Sequence, residues 1–138
     1  MIERIGRLTP DAKPLWGRMS VEQMLSHLVQ AQELPFESTV ADRSNWMSRN
    51  IVKTLVLTVV PVPKEVKTSA ELDQQQGGRK PLGFEVDKAN VIESLNKIGN
   101  LDAGHKCLAH PFFGPLSAKQ WARIGYKHMD HHLRQFGV

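Results

Sequence analysis

The sequence predicts an all-α fold, a bundle of four helices in one domain over residues 1–138. Three features predict it. Apolar side chains recur every three or four residues in four separate segments. Two of those segments open on a serine placed to cap a helix, Ser20 and Ser117. Between the segments lie stretches rich in proline, glycine and polar residues, at 61–85 and 104–115, which regular helix cannot cross.

Residues 1–19 start with a short helical pattern, Ile2, Ile5 and Leu8, and then run through Pro10 and Pro14 to Trp16-Gly17. The first strong start signal follows. Ser20-Val21-Glu22-Gln23 is a capping box, with Met19 in the position of a hydrophobic staple. Val21, Met24, Leu25, Leu28 and Ala31 form the apolar stripe of a helix over 20–34, which stops before Pro35. His27 lies at one edge of that stripe.

A second helix is expected from Asp42 or Ser44 to about Val60, through Trp46, Met47, Ile51, Leu55 and Leu57. Residues 54–60 are rich in valine and threonine and taken alone would suit a strand. Helix is preferred because the apolar pattern continues upstream without a turn. Trp46 and Met47, like Met24 and Trp121, are assigned to the core.

Pro61, Pro63, Pro81 and Gly77-Gly78 make 61–85 a long loop, either functional or mobile, or else a crossover between distant helix ends. A third helix is expected over Asp87–Asn100, with Val91, Ile92, Leu95 and Ile98 on its apolar side. The stretch after it contains His110-Pro111-Phe112-Phe113-Gly114-Pro115, a rigid aromatic loop. Ser117 then caps the last helix, which stops at Gly137.

Composition narrows the function classes. Apolar residues make up 41% and charged residues 23%, as in ordinary globular domains. The formal charge of +4 is spread along the chain, with no basic run longer than Arg79-Lys80, so no nucleic-acid partner is expected. Ile51–Val62 is the most apolar stretch, but it is interrupted by Lys53 and too short to span a bilayer; no membrane partner is expected. The single cysteine, Cys107, rules out an internal disulfide and has no partner at a metal-binding or catalytic spacing. It fits a reducing compartment. With no leader pattern at the start, the expected location is cytoplasmic.

The chemistry is concentrated in the histidines. At 100° per residue, His128 and His132 fall roughly 20° to either side of Trp121, in the middle of the apolar arc of the last helix. Imidazoles facing a core are costly unless their nitrogens are satisfied. Two at this spacing can close on one ion, as in HExxH helices. They can equally be core histidines bonded to carbonyls, carboxylates or water. A stable metal site needs a third ligand, and His27 on the first long helix is the best candidate. Three imidazoles with an open position describe a catalytic zinc site and also suit nickel or iron(II).

His131, about 60° round the helix from His128, is not expected to join the same ion. His110 is read as fixing its loop by a hydrogen bond, His105 as a solvated loop residue, and Asp130 as pointing away. Glu22 and Glu33 are candidate bases that nothing in the spacing selects, so no catalytic residue is assigned. Gly125, one turn before His128, leaves room either for a ligand or for close helix packing.

The segment Trp16-Gly17-Arg18-Met19-Ser20-Val21-Glu22-Gln23-Met24-Leu25-Ser26-His27-Leu28 resembles the Trp-x-x-x-Gln-x-x-x-His stretch of DinB/YfiT-like proteins. The His110–Gly114 loop and the closing Tyr126-Lys127-His128-Met129-Asp130-His131-His132-Leu133-Arg134-Gln135-Phe136-Gly137-Val138 look like an uncharacterised branch of that superfamily. The resemblance implies a four-helix bundle with a long crossover loop and a divalent metal held by His27, His128 and His132. It also implies a small-molecule substrate, among them low-molecular-weight thiols, and S-transferase or hydrolase chemistry through a metal-activated nucleophile. One departure stands out. Only Met1–Leu8 remains of the helix that usually precedes the Trp-Gly segment. A missing packing surface of that kind suggests a homodimer.

Overall fold

The computed structural model describes residues 1–37, 40–58, 62–64 and 68–138. Its regular elements are helices: α1 (Ile2–Gly6), α2 (Val21–Glu33), α3 (Lys53–Thr58), α4 (Phe84–Gly99) and α5 (Ala118–Gln135). Helices α2, α4 and α5 pack against one another as a three-helix core. The short α3 rests on α5, and α1 rests on α4. Among the described residues there is no strand; the only bridge is the pair His110–Gly114 inside a loop.

The start signals read from the sequence operate as expected. The Ser20 hydroxyl accepts from the Gln23 N–H at 3.2 Å, and the Gln23 side chain accepts from the Ser20 N–H at 2.9 Å. Ser117 and Gln120 repeat the box at the start of α5, at 3.3 and 2.9 Å. At the far end of α5 the chain closes in a Schellman turn. Gly137 adopts φ 75°, and the Val138 and Gly137 amides donate back to Leu133 and Arg134.

Met24, Leu25 and Leu28 of α2 meet Val91 of α4 and Met129 and Leu133 of α5, all fully buried. Ile5 and Leu8 seal one end of this core, so the short N-terminal segment supplies apolar cover of its own. A second cluster gathers Leu34, Val40, Phe113, Leu116 and Trp121. The aromatic loop thus serves as a core element at the N-terminal end of α5.

Three expectations need correction. The second helix is not one regular α-helix: it runs as a wide π-turn over Ser48–Val52 before α3 takes over at Lys53. Its end at Val59-Val60 lies outside the described residues. Trp46 and Met47 are not core residues but are 70% and 57% exposed. Only one side of this short helix packs on α5, so its other side has no apolar layer to enter. Finally, α4 starts at Phe84, three residues before Asp87. Asp87 works within the first turn as a buried anchor, accepting from Arg79 at 3.0 Å and from the Leu82 N–H at 2.7 Å.

Candidate metal centre

Helices α2 and α5 bring together the three histidines that the sequence singled out. His27 stands in the middle of α2; His128 and His132 stand one turn apart on α5. The Nε2 atom of His128 lies 3.1 Å from Nε2 of His27 and 3.0 Å from Nε2 of His132. One ligand atom from each of the three lies within 4.8 Å of the others. The rings meet edge to face, with centroids 4.7–5.0 Å apart.

The outer nitrogens decide what this convergence means. The Nδ1–H of His27 donates to the Leu72 carbonyl at 3.1 Å. The Nδ1–H of His132 donates to the Oε1 of Gln135 at 2.8 Å, and the Nε2 of Gln135 donates to the Trp16 carbonyl at 2.7 Å. A carbonyl can only accept, so the tautomer of both rings is assigned by the bonding pattern. In neutral rings that leaves Nε2 of His27 and Nε2 of His132 as lone pairs. Both point at Nε2 of His128.

Burial keeps the rings neutral. It lowers the pKa of His27 to about 4 and that of His132 to about 3, with the mutual repulsion of the rings adding to the second. His128 is held well below the ordinary value, first by desolvation and then by His132 and His27. Three inward nitrogens therefore share at most one proton, the one His128 would carry on Nε2. One N–H can serve one neighbour only, so a lone pair is left facing another nitrogen at hydrogen-bond range.

A divalent ion among the three nitrogens would satisfy this arrangement. Imidazole nitrogens sit about 2.0–2.1 Å from zinc. Two such ligands are roughly 3.3 Å apart at a tetrahedral angle and roughly 2.9 Å apart at a right angle, by the same bond lengths. The separations of 3.0 and 3.1 Å fall between these values. The outer bonds to Leu72 and Gln135 are the partners that metal-bound histidines ordinarily have, fixing tautomer and ring orientation.

A strap of chain holds His27 in place. Gln23, Ser26, His27 and Gln30 form a polar stripe along α2, and each side chain bonds to backbone of the segment 71–79: Gln74, Arg79, Leu72 and Glu71 respectively. Part of the expected long loop is thus pinned across α2 rather than left loose. The Trp16-Gly17 turn supports the other side. Gly17 has φ 79°, and a Cβ there would lie 2.6 Å from Nε2 of Gln135. Glycine lets the backbone come close enough for the Trp16 carbonyl to hold Gln135.

The remaining histidines stay out of the cluster. His131 donates from Nδ1 to the Val62 carbonyl at 3.2 Å and packs edge-on against Trp16 and His132. His110 accepts from the Phe112 and Phe113 amides at 3.0 and 3.2 Å, which fixes its loop as expected. Burial lowers its pKa to about 4. His105 is exposed. Asp130 pairs with Arg4 and Arg134, each at 2.7 Å, away from the rings. Neither Glu22 nor Glu33 has a bond to the cluster among those described. The space around Gly125 belongs to helix packing: a Cβ would meet Gln32 and Ile98 at 3.8 and 3.9 Å and no histidine within 4 Å.

Sequence reasoning missed Gln135, Gly17 and the carbonyls of Leu72 and Trp16. For Gln135 a signal was available, since it follows His132 by three residues and so shares its face. The carbonyls carry no side-chain signature at all.

Fold and site together define an all-α protein whose three clustered histidines are close enough to hold a metal ion. The chain belongs to the family described as "Protein of unknown function (DUF1569)", whose model matches residues 1–137. No curated protein and no solved structure matches it.

Proposed function

We propose that this protein is a divalent-metal-dependent enzyme of the DinB-like type, in which His27, His128 and His132 hold the ion. The reaction class is S-transfer or hydrolysis, on a small-molecule substrate that includes a low-molecular-weight thiol or meets water. The observation that carries this reading is the proton count. With the Nδ1–H groups of His27 and His132 given to carbonyl oxygens, two lone pairs converge on the nitrogen of His128. A bound divalent ion supplies Lewis acidity, which lowers the pKa of a thiol or water presented to it.

The chain's own residues have distinct parts. His27 joins the site from α2, and the Leu72 carbonyl of the strap fixes its tautomer and ring orientation. Gln135 relays the position of the Trp16 turn to His132. The neutral state of the rings keeps their lone pairs free at neutral pH. Zinc, nickel and iron(II) all suit three imidazoles.

The test is elemental analysis of untagged wild type beside His132→Ala, purified without chelators. The expected result is near one equivalent of metal in the wild type and none in the variant. Stoichiometric metal in His132→Ala would remove the assignment. Protein that takes up no metal even after loading, yet keeps its fold and binds a small apolar ligand, would replace the enzyme with a non-enzymatic binding module.

A further inference from the structure

We propose that the face formed by Trp46–Thr58 and the start of α5 docks on an anionic phospholipid surface, through headgroup phosphates and a shallow apolar contact. The chain is helical from Trp46 to Thr58, and one side of it is apolar and uncovered. Trp46, Met47, Ile51 and Leu55 are all exposed, at 47–70%. Met47, Ile51 and Leu55 follow at four-residue steps, so they form one strip.

Beside this strip lies a recess of about 330 Å³ between α3 and α5. Lys53, Thr54 and Thr58 line it from α3, and Lys119, Gln120 and Arg123 from α5; no carboxylate does. None of the described carboxylates forms an ion pair with Lys53, Lys119 or Arg123. Residues 43–58 contain no acidic side chain. Leu55 adjoins Thr54 in sequence and faces Thr58 one turn on, so the strip and the recess share an edge.

Three cations around one recess, without an ion pair among the described residues, repel each other unless an anion joins them. An apolar strip flanked by such cations is the pattern of helices that lie in a membrane interface. A second copy of the chain fits less well. A two-fold contact through the strip would bring two sets of cations together. The expectation of no membrane partner rested on spanning length, and this face needs no spanning helix.

The experiment is co-sedimentation of the full chain with phosphatidylcholine vesicles with and without phosphatidylglycerol. Partitioning is expected only with phosphatidylglycerol, and it should fall as salt rises. Each basic residue near such a surface is worth roughly five-fold, so Lys119→Gln/Arg123→Gln should weaken partitioning roughly 25-fold. Ile51→Ser/Leu55→Ser keeps the charges and should also weaken it. Unchanged circular dichroism confirms that both variants fold. Equal partitioning onto both vesicle types, none onto either, or partitioning that survives the charge variant would overturn the proposal. So would binding of soluble glycerol phosphate without vesicle binding, which would make the recess a small-anion site. A dimer that Ile51→Ser/Leu55→Ser splits would assign the strip to self-association and overturn it too.

Discussion

Acid should destabilise the metal-free protein steeply, and the histidine cluster supplies much of the effect. In the folded chain, burial holds His27 near pKa 4 and His132 near pKa 3. In the unfolded chain each returns to about 6.5. The unfolded state therefore binds more protons below pH 6.5, and stability falls as pH falls. The contribution is fully present above pH 6.5. It is lost progressively down to about 4 for His27 and about 3 for His132. Between pH 7 and pH 5 each ring accounts for about 2 kcal/mol, so the pair accounts for about 4 kcal/mol. Domains of this kind have about 5–15 kcal/mol in total, so the loss should be plain in a denaturation curve. The assay is urea unfolding of chelator-treated protein at several pH values, followed by circular dichroism. His27→Gln/His132→Gln should make the fall shallower over the same range, while buried His110 and His128 keep part of it. Stability that stays level from pH 7 to pH 5, or a fall as steep in the double variant as in the wild type, would refute the account of the rings as buried and neutral.

Gln135→Leu removes the acceptor that orients His132 and should weaken metal binding roughly 10- to 100-fold, read by titration against a chromophoric chelator. Gln135→Glu keeps an acceptor for Nδ1 and should retain more of the affinity. Gly17→Ala combines a positive φ with a Cβ at 2.6 Å from Gln135, so it should lower the melting temperature, with a loss of about 1–3 kcal/mol in unfolding free energy. Gly125→Ala should do the opposite. Its Cβ meets only ordinary contacts, and helix propensity then adds up to about 1 kcal/mol, measurable as a higher urea midpoint. A lower midpoint would show that α5 cannot accept even a methyl group against α2 and α4.

The parts of this protein governed by local rules were open to reading from its sequence. The boxes at Ser20 and Ser117 start α2 and α5 because the capping bonds join residues three apart. The stripe of Met24, Leu25 and Leu28 had to face a core whatever that core was. His128 and His132 share a face by helix geometry alone. What the sequence could not decide depended on neighbours distant along the chain. Trp46 and Met47 have the composition of core residues, yet the tertiary structure leaves them in solvent because only one side of their helix is covered. His27 meets His128 across 101 residues, an approach set by how α2 packs on α5. Spacing along the sequence does not encode that contact: it makes His27 a candidate third ligand, while the approach itself is decided by the packing. The carbonyls of Leu72 and Trp16, which fix the tautomers, belong to backbone that every residue carries. Only the folded path of the chain brings them to the rings and turns three histidines into a set of converging lone pairs.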